Sequence, residues 1–303
     1  MIERINVTNE NGEVLRLILG DSNTNGLLLI NADGLGAPPG TITTSVSPNK
    51  DGSRLSGKRL QDRIIELTIV VTARGRGEEA VRRSLYTHFP AKGTVILDIT
   101  TSSNTFRISA EVEENDVKQF AKFEHAEIKL RCVDPYFTDT QNYVVPVPDL
   151  LDSLEFPFEN PSLTQDLIEF ADILDSPYKD IVYSGDVEVG IVMDVHLYDN
   201  VGDISLYNLT HNETMVIDMS IVESMVGSSV QAGDHITIDT RVGRKSITFT
   251  RGASDYNIIN SLGINTVWTK VYPGSNEFSY AVQGSDYNNV GMSVTYDVLN
   301  QGV

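Results

Sequence analysis

The chain has 303 residues, 40% of them hydrophobic, with a formal net charge of −19 at pH 7. That length and apolar content exclude a disordered chain and accommodate two domains. Residues 1–140 hold 17 Lys+Arg against 19 Asp+Glu, whereas residues 141–303 hold 6 against 23, so the halves carry −2 and −17. An acidic half repels phosphate backbones and anionic membrane surfaces, which argues against nucleic-acid recognition and membrane docking. Its plainest reading is a soluble, self-repelling surface; the functional one is a face for a basic partner or divalent cations. No apolar run approaches the ~18–20 residues of a membrane helix. The opening Met1-Ile-Glu-Arg-Ile-Asn shows no signal-peptide apolar region. Cys132 is the single cysteine and falls in phase with apolar neighbours, so a buried, inert thiol is expected.

Taken in chain order, Ile5 and Val7 lead into Asn11-Gly12, and Val14 to Leu19 follow, a hairpin signature. Residues 20–60 are rich in Gly, Asn, Ser and Pro and read as an exposed arm of low regularity, a segment for a neighbouring copy to order. Ile65, Leu67, Ile69 and Val71 alternate as a half-buried strand. Glu78 to Phe89 is the one clear helix, with Val81, Leu85 and Phe89 on one stripe, Glu78–Arg82 and Glu79–Arg83 at i,i+4, and Pro90 as its stop. Strands follow at Val95–Ile99, at Phe106 to Val112 and at Ala126 to Cys132.

Pro146, Pro148, Pro157 and Pro161 cluster where the charge shifts, which places a boundary near residue 145 and a linker over about 138–165. The expected domains are therefore 1–145 and 146–303. Ser162-x-x-Gln165 reads as a capping box for a short helix over Leu163–Ile173. From Ile181 on the pattern is all-β, with alternation at Ile191/Met193/Val195/Leu197, Ile236/Ile238, Ile247/Phe249, Phe278/Tyr280/Val282 and Met292 to Val298. The fold class expected is mainly β: a sandwich or barrel-like first domain with one helix, then an antiparallel β-sandwich.

Catalytic signatures are thin. Gly20-Asp21-Ser22-Asn23 has the look of a hydrolase serine turn, but none of His88, His125, His196, His211 and His235 follows an Asp by three residues, and a serine without a base is a weak nucleophile. No His or Cys spacing suits zinc, and no glycine-rich nucleotide loop is present. Asp199, Asn200 and Asp203 could offer oxygens to calcium, though such clusters are ordinary turn chemistry. The expectation is therefore no enzyme, no cofactor and no metal. Trp268, Tyr272, Phe278 and Tyr280 could stack on sugar rings or fill the sandwich core; Phe278 and Tyr280 share strand parity and point most simply inward. Trp268 and Tyr272 remain the saccharide or partner candidates.

Several C-terminal pieces carry a resemblance together: Tyr183-Ser-Gly-Asp-Val-Glu-Val-Gly190, Ile204-Ser-Leu-Tyr-Asn208, Glu213-Thr-Met-Val-Ile217, Gly233-Asp234 with Ile236 to Thr240, Gly243-Arg-Lys-Ser246, and Pro273-Gly-Ser-Asn-Glu-Phe278. Their order resembles the C-terminal module of siphophage distal tail proteins. The 78–89 helix and Leu130-Arg-Cys-Val-Asp-Pro-Tyr-Phe137 resemble that family's ring-forming module. The related proteins of phage-like bacteriocin particles are similar as well. The resemblance implies a virion structural protein of the tail tip or baseplate: a homohexameric ring of N-terminal domains joining tail tube to tip, and an outward galectin-like β-sandwich. Its implied partners are the tail tube protein, the tail-tip hub and receptor-binding proteins. The alternative is a carbohydrate-binding module that attaches the particle to the host cell surface.

Overall fold

The period-two runs become the strands of two units. The computed structural model describes residues 2–19, 25–49, 51–72, 76–118, 124–147, 150–152, 171–173, 178–284 and 287–303. The first unit is Met1–Thr140 with Leu299–Val303; the second is Gln141–Val298.

The first unit contains β1 (Ile2–Thr8), β2 (Val14–Ile18), β3 (Leu27–Asp33), β4 (Gly40–Val46), β5 (Ser53–Leu60), β6 (Arg63–Val71), α1 (Arg76–His88), β7 (Thr94–Thr101), β8 (Thr105–Lys118), β9 (His125–Cys132) and β10 (Phe137–Asp139). One antiparallel sheet runs in the order β2-β1-β7-β8-β9-β6-β3. It curls until Leu19, just past β2, forms a parallel bridge to Leu29 of β3, so the two edges meet. Right-handed strand twist makes such curling natural, and meeting edges leave little unpaired backbone for stray strands. Alternate side chains fill the inside: Ile5 and Val7 from β1, Leu97 and Ile99 from β7, Ile65, Leu67 and Ile69 from β6, and Ala126, Ile128 and Leu130 from β9 are all buried.

The Asn11-Gly12 turn forms as expected. Gly12 takes φ +80°, and β1 pairs β2 from Arg4↔Ile18 to Thr8↔Val14. Leu85 of helix α1 and Phe89 just past its end are buried in the core of the first unit, with Val81 packed at the margin. Asn115 of β8 donates to the Leu85 and Phe89 carbonyls at 3.3 and 3.0 Å and so closes the helix end. Arg83 reaches Glu79 at 3.0 Å, whereas Arg82 lies 3.6 Å from Glu124 instead of pairing with Glu78. Cys132 is fully buried, and that burial pushes its thiol up to about 12.

The described part of residues 20–60 differs from the expected irregular arm. Strand β3 closes the sheet, and β4 and β5 form their own antiparallel hairpin. Both faces of that hairpin are exposed, so it carries no clean apolar/polar alternation, and its strands were invisible to a pattern-based reading.

The second unit contains β11 (Tyr143–Val147), β12 (Leu150–Asp152), β13 (Ala171–Ile173), β14 (Tyr178–Tyr183), β15 (Val189–Gly190), β16 (Val192–Leu197), β17 (Ile204–Asn208), β18 (Glu213–Ile217), α2 (Met219–Val226), β19 (His235–Asp239), β20 (Ser246–Arg251), β21 (Ser254–Asn257), β22 (Lys270–Val271), β23 (Gly274–Val282) and β24 (Val290–Tyr296). A six-stranded sheet, β11-β24-β16-β19-β20-β21, faces a four-stranded one, β14-β23-β17-β18. Tyr183 meets Tyr296 edge-on at 5.8 Å across the layers, and the Tyr280 hydroxyl donates to the Val290 carbonyl at 2.7 Å. This is a β-sandwich in the sense expected, with Phe278 and Tyr280 in its core. Within the stretch read as linker, Pro146 sits in β11 opposite Ser293, on an edge strand where a missing N–H is tolerated.

Two local expectations change. Ala171–Ile173, the end of the helix expected over 163–173, is a strand paired with β12; Ser162, Gln165 and the rest of that helix lie outside the described residues. The second half also contains a helix, α2. Asp218 caps it by accepting from the Ser220 and Ile221 amides, and Gly227 ends it at φ +82°.

One arginine in each unit gathers separate segments of that unit. After the sandwich, β25 (Leu299–Asn300) returns to the first unit and pairs with β10. Arg63, 1% exposed, donates from Nε to the Pro135 carbonyl at 2.9 Å, and from its two terminal nitrogens to the Gly34 and Gln301 carbonyls, each at 2.6 Å, and to that of Gly36. Its guanidinium also lies 4.3 Å from the Phe137 ring centre. In the second unit Arg251 grips Asp234, 3% exposed, in a two-pronged pair and also reaches Ser228 and the Ser229 carbonyl. Burial alone would raise the Asp234 carboxyl; the Arg251 contact and the Gln231 amide outweigh it and hold the group below the usual carboxylate range.

Arg63→Met leaves four backbone carbonyls without their donor and should cost about 3 kcal/mol or more, read as a lowered urea midpoint of the first unit. Arg63→Lys should rescue little, since an ammonium lacks the planar fork. Asp234 titrates lower when folded, so its contribution is complete above about pH 4 and is lost as the pH falls through the folded value. Urea titrations at stepped pH should therefore show a shallower acid loss in Asp234→Asn than in the wild-type chain.

Candidate functional site

The chemistry weighed from sequence does not converge. Gly20 to Asn23, with Ser22, lie outside the described residues. Asp203 spends an oxygen on the Met219 amide at 2.9 Å, and Asp199 accepts from the Asn200 amide at 2.7 Å. Among the described residues no group of three or more His, Cys, Asp or Glu side chains could hold a metal ion, and no helix is long and apolar enough to cross a membrane. A cleft of about 480 Å³ opens along β18, lined by Asn212, Thr214, Val216 and Gly263–Val267. None of these side chains is an acid or base of catalytic strength.

Trp268 and Tyr272 have separate neighbours. Trp268 is half-buried, with the Lys245 ammonium 5.3 Å above its ring. Tyr272 stacks on His211 at 4.0 Å, and its hydroxyl donates to Glu213 at 2.5 Å. That hydrogen bond, with burial and the carboxylate charge, pushes the phenol up to about 12. The Tyr272 backbone is held by Asn276, whose side chain accepts from its N–H and donates to its carbonyl and to that of Gly274. Gly274 supplies the positive φ of the turn, +97°. Tyr272 thus closes a polar network at the base of β23, and no ring contact joins it to Trp268 among the described residues.

The feature that stands open is the β4–β5 hairpin. Its register runs from Gly40↔Leu60 to Val46↔Ser53, with an irregularity after Thr43, and Gly52 turns it at φ +85°. Strand parity puts Ile42, Val46 and Leu55 on one face, and these are 66%, 77% and 49% exposed. Thr41, Thr43, Ser45, Arg54 and Arg59 take the other. Arg54, Lys58 and Arg59 make no ion pair among the described residues, so the arm is cationic on an acidic chain. A lone two-stranded hairpin is marginal in water, and this one leaves Ile42, Val46 and Leu55 uncovered on a face they share with Thr44 and Lys58. The expectation of an arm survives; its irregularity does not.

No protein-family model matches the chain, and no curated protein sequence matches it. Among solved structures it is similar to the Dit protein of phage SPP1, described as a paradigm of the hub adsorption apparatus in phages infecting Gram-positive hosts: TM-score 0.62, 11% identity, 97% of this chain and 98% of that one. The phage P2 baseplate in its activated conformation with Ca gives a TM-score of 0.42 at 11% identity, over 97% and 98% of the two chains. The same baseplate with Sr gives 0.41 at 11%, over 97% of each. The first likeness shows a shared fold over nearly the whole chain, the mainly β fold expected from the motifs of both halves.

Tyr272→Phe should cost about 1 kcal/mol through the lost Glu213 bond, measured as a lower urea midpoint of the sandwich.

Proposed function

We propose that this chain is a structural, non-catalytic component of a bacteriophage tail tip, a distal tail protein that forms a ring between tail tube and tip. The observation that carries the reading is the exposed apolar row on the β4–β5 hairpin of a unit whose main sheet has closed on itself. A surface of this kind on an otherwise edge-poor unit favours a head-to-tail contact, in which the arm of one copy lies on a different surface of the next. Contacts of that type generate rings when the rotation closes, and six copies is the count the family resemblance implies. The near-neutral first half tolerates close packing, and the acidic second half resists it, which suits an inner ring with an outer, self-repelling rim. The fold shared with SPP1 Dit supports the same reading. In it the sandwich scaffolds receptor-binding proteins, and the chain resides in the virion tail after assembly in the bacterial cytoplasm.

Native mass spectrometry and negative-stain microscopy test this directly. The wild-type chain should give closed rings, and Ile42→Asp with Val46→Asp should give monomers of unchanged thermal stability, because both side chains are already solvent-exposed in the isolated unit. A wild-type chain that stays monomeric at high concentration, alone and with tail tube protein added, would sink the proposal.

A further inference from the structure

The six-stranded sheet carries two histidines side by side on its outer face. His196 of β16 and His235 of β19 stand directly opposite in the register, and their ring centres lie 5.7 Å apart at 32°. Directly opposed residues on an antiparallel pair hold their Cβ atoms about 4.5–5.5 Å apart, so the rings lean over a shared space. Neither ring makes a hydrogen bond among the described residues. On the far side of His196 the register position is Gly291, and the Tyr198 phenol already fills the place its Cβ would occupy. On the far side of His235 stands Thr250, whose hydroxyl donates to Asp255 at 2.7 Å. The flanking groups are thus engaged, and the imidazole nitrogens are left over.

We propose that His196 and His235 together bind one borderline divalent transition cation of the Zn2+, Ni2+ or Cu2+ class. Imidazole nitrogen suits these ions, at about 2.0–2.1 Å per bond for zinc, whereas calcium and magnesium demand oxygen ligands. Rings 5.7 Å apart allow one nitrogen from each to meet a single ion between them. Water fills the remaining positions, which keeps the site open to an exchangeable outside ligand. Residues 141–303 carry a net of −17, a field that concentrates cations at this surface. The strands are fixed by the sheet ladder, so two ligands come pre-positioned and only side-chain rotation remains to be ordered. The proposal is independent of the tail-tip reading: it needs only the β16–β19 register.

Isothermal titration of the purified full chain with ZnCl2 and with NiCl2 tests it. One saturable ion per chain is expected, unaffected by excess CaCl2, lost in His196→Ala and lost in His235→Ala. His211→Ala, which removes a histidine elsewhere in the same unit, should bind as the wild type does. Circular dichroism melts of the two site variants should match the wild type, which separates lost ligation from lost folding. Absence of saturable binding, or binding retained in either site variant, overturns the proposal.

Discussion

A single buried guanidinium organises the first unit. Arg63 opens β6, and its nitrogens collect carbonyls from the turn at Gly34 and Gly36, from Pro135 beyond β9, and from Gln301 at the far end of the chain. Each of those carbonyls belongs to irregular backbone, which has no ladder partner of its own to satisfy it. Burying a charge without such partners is costly, so the guanidinium and the three segments depend on one another. Burial pulls the Arg63 pKa down from its usual value, yet a guanidinium starts so high that it stays charged. The aromatic face of Phe137 beneath it adds a cation–π contact.

Gln301 is one of the four acceptors and follows β25, which pairs with β10, so in chain order the sandwich is an insertion within the first unit. The same constraint explains Gly34: its φ is +84°, and a Cβ there would fall 1.9 Å from the Ile64 carbonyl oxygen. Only glycine lets that turn approach β6 closely enough to present its carbonyl to Arg63.

The first unit keeps one surface apart from its own core. Its long sheet hides its edges by curling, and its core is continuous from β1 to β9. The β4–β5 hairpin stands outside that core and contributes little to it. A surface that does not stabilise its own unit can change in sequence with little effect on folding. The sandwich shows the reverse economy: its polar groups near Asn276, Glu213 and Asp234 are largely spent on turns and loops, and its outer sheet face keeps a spare pair of imidazoles.

Strands with one buried face were legible in the sequence, because burial on one side imposes a two-residue period. Ile65 to Val71, Phe106 to Val112, Ala126 to Cys132 and Met292 to Val298 all follow it, and α1 follows its 3.6-residue stripe. Charge asymmetry and the Asn11-Gly12 turn were local facts and needed no structure. Tertiary structure alone decided the rest. The hairpin has no buried face, so its period was absent; α2 is only eight residues long, about two turns, too short for a 3.6-residue stripe to stand out in a half that otherwise alternates as strands. Arg63 looked like any strand arginine, because its four acceptors are up to 238 positions away. His196 and His235 are separated by 39 positions and meet only through the β16–β19 register. Local periodicity records which side of an element faces the core, whereas contacts between distant segments are fixed by sheet order and register, and those exist only once the chain has folded.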